Sequence, residues 1–248
     1  MNEPELRSKR CWITGAGSGI GAAAARSLAT AGAEIVLSGR RREALERTAG
    51  EIEQLGGRCR IAPLDVADAA ACDEVMATHG PFDIVVASAG LNVKQRRLEE
   101  IVAGDWQQVV DVNLSGTFNV VRTALPGMRG NGGGLVVVIS SWIGWRLEPV
   151  AGAAYAASKR ALGALTEIIN VEEGPHGIRA THLCPAETNT EVLDSRPVPP
   201  PPEVRAKMLA PDDIGRVIAF LATCPASMCI NELVVSPVAN RFYQPGAV

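Results

Sequence analysis

Short apolar runs alternate with longer stretches of helical texture along the whole chain. The runs at 10–14 (RCWIT), 33–38 (AEIVLS), 58–64 (RCRIAPL), 83–88 (DIVVAS), 135–140 (LVVVIS), 178–184 (IRATHLC) and 232–236 (ELVVS) read as strands. Most are continuously hydrophobic, as expected of strands covered on both faces. Between them, 19–31, 41–55, 69–78, 99–129 (broken once), 153–173 and 212–223 read as helices. Strands alternating with helices over short connections predict an α/β fold, a doubly wound parallel sheet of seven strands in a single domain. One segment breaks this rhythm. DSRPVPPPPEV (194–204) has five prolines and is expected to be neither helix nor central strand. It follows the sixth strand's carboxyl end, where open sheets bind ligands, so it reads equally as a stiff connection or a pocket edge within a substrate loop at about 186–211.

Composition narrows the function classes. The 248 residues are 47% hydrophobic and 21% charged, with a net charge of −3. The longest basic run is GRRRE at 39–43, which argues against binding to nucleic acid or a membrane surface. No apolar segment approaches the roughly 20 residues that span a bilayer. The first ten residues carry no secretory pattern, so a cytoplasmic protein is expected. Six scattered cysteines read as small buried hydrophobes in a reducing compartment. His79, His176 and His182 show no ligand-like spacing, and no metal site is expected.

Candidate chemistry begins directly after the first strand, in TGAGSGIG (14–21). Gly15, Gly19 and Gly21 are spaced G-x-x-x-G-x-G before an alanine-rich helix. A glycine turn there brings backbone close to a pyrophosphate and aims helix N–H groups at it. In the helix at 153–173, Tyr155 and Lys159 stand four residues apart, so both leave one face and act on one small volume.

On these motifs the chain resembles the short-chain dehydrogenases/reductases over nearly its whole length. LDV at 64–66 matches the family's adenine contact, with Asp65 as acceptor and Val66 as backbone donor. ASAG at 87–90 stands where the family has N-N-A-G, with Ala89 and Gly90 retained. Asn113, Ser141, Tyr155 and Lys159 match the catalytic set in order. The resemblance implies that Ser18 and Ile20 of the turn, together with Pro185 and Thr190, also contact the cofactor. It further implies that Tyr155 is the general acid–base and that Ser141 holds the substrate oxygen. Lys159 would bind the nicotinamide ribose and, with the oxidised nicotinamide, lower the tyrosine's pKa. Asn113 would position a water in the proton path. Three departures stand out. Ala87 and Ser88 replace asparagines, and Pro185-Ala186 replaces a Pro-Gly pair. Ser141 and Tyr155 are one residue farther apart than usual, which makes Ser140 a rival for the serine role.

At the end of the second strand the chain reads Ser38, Gly39, Arg40, Arg41, with no nearby carboxylate. Arg40 is suited to a 2′-phosphate and Arg41 to adenine, so NADP is the expected cofactor. On the substrate side, Trp142, Trp145, Arg146, Arg96, Arg97, Glu187 and Asn189 fall at strand carboxyl ends; each arginine, taken singly, reads as a solvated charge. The form INELVVSP (230–237) resembles an NADP-dependent group of 3-hydroxy acid dehydrogenases, which implies a small 3-hydroxy acid. A 3-oxoacyl or other ketone reductase, or a non-catalytic NADP-binding sensor, are the alternatives. Surplus apolar faces at 105–125 and 153–172 predict a homotetramer, with a dimer second. The aromatic tail at 240–248 is expected to dock on a neighbouring subunit.

Overall fold

The computed structural model describes residues 5–243. Seven strands, β1 (Arg10–Thr14), β2 (Glu34–Ser38), β3 (Arg58–Ile61), β4 (Ile84–Ala87), β5 (Gly134–Ile139), β6 (Ile178–Pro185) and β7 (Glu232–Val235), form one sheet. The order is β3-β2-β1-β4-β5-β6-β7 and all pairings are parallel. The helices are α1 (Gly19–Thr30), α2 (Arg42–Gln54), α3 (Ala69–His79), α4 (Ala103–Val110), α5 (Gly116–Gly130), α6 (Trp142–Trp145), α7 (Ala153–Glu173), α8 (Pro202–Arg205) and α9 (Pro211–Thr223).

Successive strand residues point to opposite faces, so the sheet feeds two cores. Ile13, Ile35 and Leu37 pack with Leu28 of α1 and Ile214 and Ile218 of α9. Trp12, Val36 and Val85 pack on the other side with Val120 and Met128 of α5 and Leu162 of α7. Local chemistry sets the helix starts. The Asp68 carboxylate accepts from the Ala70 and Ala71 N–H groups at the head of α3. Pro211 opens α9, where Asp213 accepts from the Ala210 N–H. Strand order reverses between β1 and β4, which opens a crevice at the strands' carboxyl ends.

The differences from the sequence reading are local. β3 ends at Ile61, three residues early, and its side chains alternate in burial because it is an edge strand. The long helical pattern at 99–129 begins at Ala103 and is not cut; a π-helical segment, Asp111–Ser115, links α4 to α5. The proline-rich segment does contain one helical turn, α8, because Pro202 sits at a first helical position where no N–H is needed. Cys11, Cys72 and Cys184 are buried as expected, whereas Cys229 is exposed and Cys59 and Cys224 are half-buried; all six are free thiols. The described part of the tail docks on its own chain: Phe242 stacks on Trp142 and Arg241 pairs with Glu187. Residues 244–248 of that tail lie outside the described residues. No helix among the described residues is long and apolar enough to cross a membrane.

Candidate active site

The glycine turn between β1 and α1 is shaped by close approach. Gly15 and Gly19 have φ of +64° and +53°, a region that favours glycine. A Cβ at Gly21 would lie 2.3 Å from the Gly15 carbonyl oxygen, so α1 could not begin so near the strand with any larger residue. The turn floors a cleft of about 270 Å³ whose walls include Ser18, Ile20, Arg40, Arg41, Asp65, Val66, Ala89, Gly90, Tyr155, Lys159 and Thr190. Pro185 lines a second cavity instead. The loss of the two asparagines at 87–88 is met by Thr14, whose hydroxyl accepts from the Ser88 and Ala89 N–H groups at 3.2 and 3.3 Å.

The cleft's charges differ from the sequence reading in one respect. Glu191, on the loop after β6, stands 3.2 Å from the Arg41 guanidinium, so a carboxylate does reach this region. Arg41 is therefore engaged across the cleft. The Arg40 guanidinium has no partner among the described residues. Asp65 accepts from the Ala67 N–H at 3.0 Å, while the Val66 carbonyl accepts from Asn119.

Asn113, Ser141, Tyr155 and Lys159 converge where β4, β5 and α7 meet. The π segment carries Asn113, fully buried; its Oδ1 accepts from the Leu91 N–H at 2.8 Å. Its amide donates to the Leu91 carbonyl and to the Ser158 hydroxyl, which donates in turn to the Tyr155 carbonyl. The Asn113 side chain is thus a brace, tying the segment after Gly90 to the tyrosine's backbone. A π-bulge at a functional position is a recurring device. Lys159 lies below Tyr155, its Nζ donating to the Ile139 carbonyl at 2.8 Å and standing 5.8 Å from the tyrosine ring centre. Burial pulls the lysine's pKa down to about 8. The two candidate serines separate cleanly. Ser140 donates to the Lys159 carbonyl at 2.9 Å, whereas the Ser141 Oγ accepts from the Ile143 N–H at 3.3 Å and is the serine that acts on the Tyr155 phenol, lowering its pKa.

The expected lowering of the tyrosine pKa is not produced by the chain alone. Burial pushes the Tyr155 phenol up, and its bond to Ser141 with the charges of Arg196 and Arg96 offsets this only in part. Lys159 is not among these influences: its ammonium is itself desolvated and is spent on Ile139.

Behind Tyr155 lies the second cavity, of about 130 Å³, lined by Arg96, Ser141, Trp142, Glu187, Arg196 and Phe242 among others. Tyr155 borders both spaces.

Residues 9–198 match the model of the short chain dehydrogenase family. The chain belongs to that family. An uncharacterised oxidoreductase of Staphylococcus aureus (strain MW2) is 32% identical over 94% of this chain and 99% of its own. An alcohol dehydrogenase from the archaeon Thermococcus sibiricus, solved with 5-hydroxy-NADP, is 33% identical, with a TM-score of 0.82 over 93% of this chain and 97% of that one. A 3-oxoacyl-[acyl-carrier protein] reductase from Brucella melitensis is 30% identical, with a TM-score of 0.84 over 94% and 91%.

Three features of this short-chain dehydrogenase escape sequence reasoning. Arg96 is not a solvated charge: it is 5% exposed and donates to the carbonyls of Val93, Val150 and Ser195. Arg97, beside it, is exposed and faces Glu99 at 3.7 Å. Glu187 receives two arginines, Arg196 and Arg241, from segments 9 and 54 residues away. Last, three potential ligand atoms of His182, Cys184 and Glu232 lie within 4.8 Å of one another, a grouping the histidine spacing did not suggest. The signal was available, since residues i and i+2 of a strand share a face. Burial first and Glu232 second hold the Cys184 thiol up at about 12, so it is protonated rather than a thiolate; His182 simply pairs with Glu232 at 3.0 Å.

Proposed function

We propose that this enzyme is an NADP-dependent oxidoreductase that interconverts a secondary alcohol and a carbonyl compound. The observation that carries the reading is the position of Tyr155, between a glycine-floored cleft and a smaller cavity, with Ser141 on its hydroxyl and Lys159 beneath it. The cleft fits a dinucleotide: bare glycine backbone for a pyrophosphate, helix N–H groups beside it, and, unpaired among the described residues, Arg40 for a 2′-phosphate. That the Thermococcus sibiricus neighbour carries 5-hydroxy-NADP supports the same cofactor here.

The dinucleotide, when bound, supplies or accepts the hydride at its nicotinamide. The chain's own work is proton transfer and positioning. In the reducing direction the Tyr155 hydroxyl gives its proton to the substrate oxygen as hydride reaches the carbon, and Ser141 donates a hydrogen bond to that oxygen. Oxidation runs the same transfers backwards. Lys159, whose side chain lines the cleft, would hold the nicotinamide ribose and feed the proton path. Asn113 acts through its brace, keeping Leu91 and Tyr155 in register. The 3-oxoacyl reductase reading shares this chemistry and differs only in substrate.

Assembly and location belong to the same proposal. Trp106, Phe118, Ile168 and Val171 on α4, α5 and α7 are exposed apolar side chains, which supports a homotetramer built on these helices; the cytoplasm is the location proposed with it. Light scattering at micromolar concentration should give four times the chain mass; a monomer would sink the assembly.

The reaction is tested by following NADPH absorbance across a panel of ketones, oxo acids and 3-oxoacyl thioesters, and NADP reduction across the matching alcohols. At least one pair should turn over in both directions. Binding of NADP(H) with no turnover of any compound would instead favour a sensor.

A further inference from the structure

The second cavity carries more positive charge than its own acid can neutralise. Arg96 and Arg196 line it, Arg241 reaches it through Glu187, and Glu187 is the carboxylate among its lining residues. Glu187 is shared: Arg196 bonds one oxygen at 2.7 Å, and Arg241 bonds both, at 2.5 and 2.7 Å. Although burial works against its charge, these bonds hold its carboxyl below the ordinary value. Arg96 pairs with no carboxylate among the described residues; its partners are main-chain carbonyls. An unneutralised guanidinium in a nearly dry site is costly, and a guanidinium does not discharge by losing its proton.

The cavity also carries donors in excess. A guanidinium has five N–H groups, of which the three carbonyls of Val93, Val150 and Ser195 engage three. The indole N–H of Trp142, on the same wall and 1% exposed, has no acceptor among the described residues. Spare donors and spare positive charge call for one kind of group, an anion that only accepts. A carboxylate has that chemistry, and it matches the planar fork of an arginine. The place matters as well. The Arg96 carbonyl accepts from the Ala153 N–H, two residues before Tyr155, so the arginine is fixed to the start of the helix that carries the tyrosine.

We propose that this cavity takes a small hydroxy- or oxo-substrate bearing a carboxylate, held by the free donors of Arg96 with Arg196 alongside. The proposal rests on the alcohol–carbonyl reading above, agrees with the small 3-hydroxy acid that the resemblance implies, and adds the residues that hold the carboxylate. A volume of about 130 Å³, lined on one side by the stacked rings of Trp142 and Phe242, suits a compound of a few carbons.

The test compares 2-, 3- and 4-oxo acids with their methyl esters, using NADPH and the unmodified protein. At one chain length or more, kcat/KM for the acid should exceed that for its ester by about tenfold or more, the scale of a buried polar contact left unpaired. Arg96→Met should erase that ratio by lowering the acid's value, while Arg96→Lys should restore part of it. As a readout independent of turnover, the matching acid should raise the melting temperature of the protein with NADP, and its ester should not. Esters turned over as well as acids at every length would overturn the carboxylate site and leave the reaction class standing. A thermal shift with acids but no turnover of any compound would do the reverse. If Arg96→Met does not fold, the acid-to-ester ratios of the unmodified protein and of Arg96→Lys decide, and equal ratios in those two with no acid preference would reject the proposal.

Discussion

Tyr155→Phe should cut turnover by more than about 100-fold, the usual scale for loss of a general acid–base group, while leaving dinucleotide affinity nearly unchanged. The asymmetry follows from position. The ring, which phenylalanine keeps, helps wall the cleft; the hydroxyl, beside Ser141, is what the reaction consumes. Lys159→Ala should damage both binding and turnover, because its ammonium lies in the cleft and its removal also leaves the Ile139 carbonyl without its donor. Single-turnover rates and cofactor titrations of the two variants separate these effects. Tyr155→Phe retaining most of its activity would leave the mechanism without a proton donor.

The raised phenol pKa gives the two directions of the reaction opposite pH dependences. Burial favours the neutral form of Tyr155, and its partial offset by Ser141, Arg196 and Arg96 leaves the pKa above the ordinary phenol value in the chain by itself. Reduction needs the protonated phenol, so its rate should be flat through neutrality and fall only on the alkaline side. Oxidation needs the phenolate, so its rate should rise with pH over the same range. Any lowering must come with the bound cofactor, since Lys159, with its own pKa pulled down to about 8, is not among the groups that lower it. The alkaline rise in oxidation should be absent from the residual activity of Tyr155→Phe.

The parts of this site that could be read from the sequence are those whose chemistry sits within a few residues. The glycine turn is legible because only glycine tolerates φ near +60° there and so close a contact between Gly21 and Gly15. Tyr155 and Lys159 are legible because one helical turn separates them. Arg96 is not, since what turns a surface-looking arginine into a buried one is contact with Val150 and Ser195, residues 54 and 99 positions away. Gly152, similarly distant, belongs to the same contact: at φ +75° it has room for no side chain, because the Arg96 carbonyl would lie 2.4 Å from its Cβ. Glu191 is not legible either, for the same reason: it lies 150 residues from Arg41, on the loop after β6. The helix at 99–129 failed differently. A single break is expected somewhere in that stretch, but the backbone only widens over Asp111–Ser115, which contain no proline or glycine, to seat Asn113.

Arg40→Ala should remove most of the preference for NADP(H) over NAD(H) and leave NAD(H) affinity close to its starting value. In the unmodified protein that preference should be about tenfold or more, since one charged hydrogen bond contributes roughly 1.5–3 kcal/mol, or about 10- to 150-fold in affinity. Three consecutive arginines, Arg40 to Arg42, stand at the head of α2, where the helix dipole disfavours cations. Two have partners that explain them: Arg41 faces Glu191 at 3.2 Å, and Arg42 faces Glu46 one turn on at 3.8 Å. Arg40 has none among the described residues, yet it lines the cleft beside Gly39 and Asp65, where the adenosine ribose lies in this fold. Its guanidinium is the group free to meet a 2′-phosphate. Arg41→Ala should therefore cost less than Arg40→Ala, because part of its charge is already offset by Glu191. Since Arg40 is exposed, the preference should also weaken as salt is raised from about 0.01 to 0.15 M, where screening shortens from about 30 to 8 Å. Isothermal titration of both dinucleotides against the three proteins, at two salt concentrations, measures each of these quantities. Equal affinities for NADP(H) and NAD(H) in the unmodified protein would show that Arg40 does not select the phosphate.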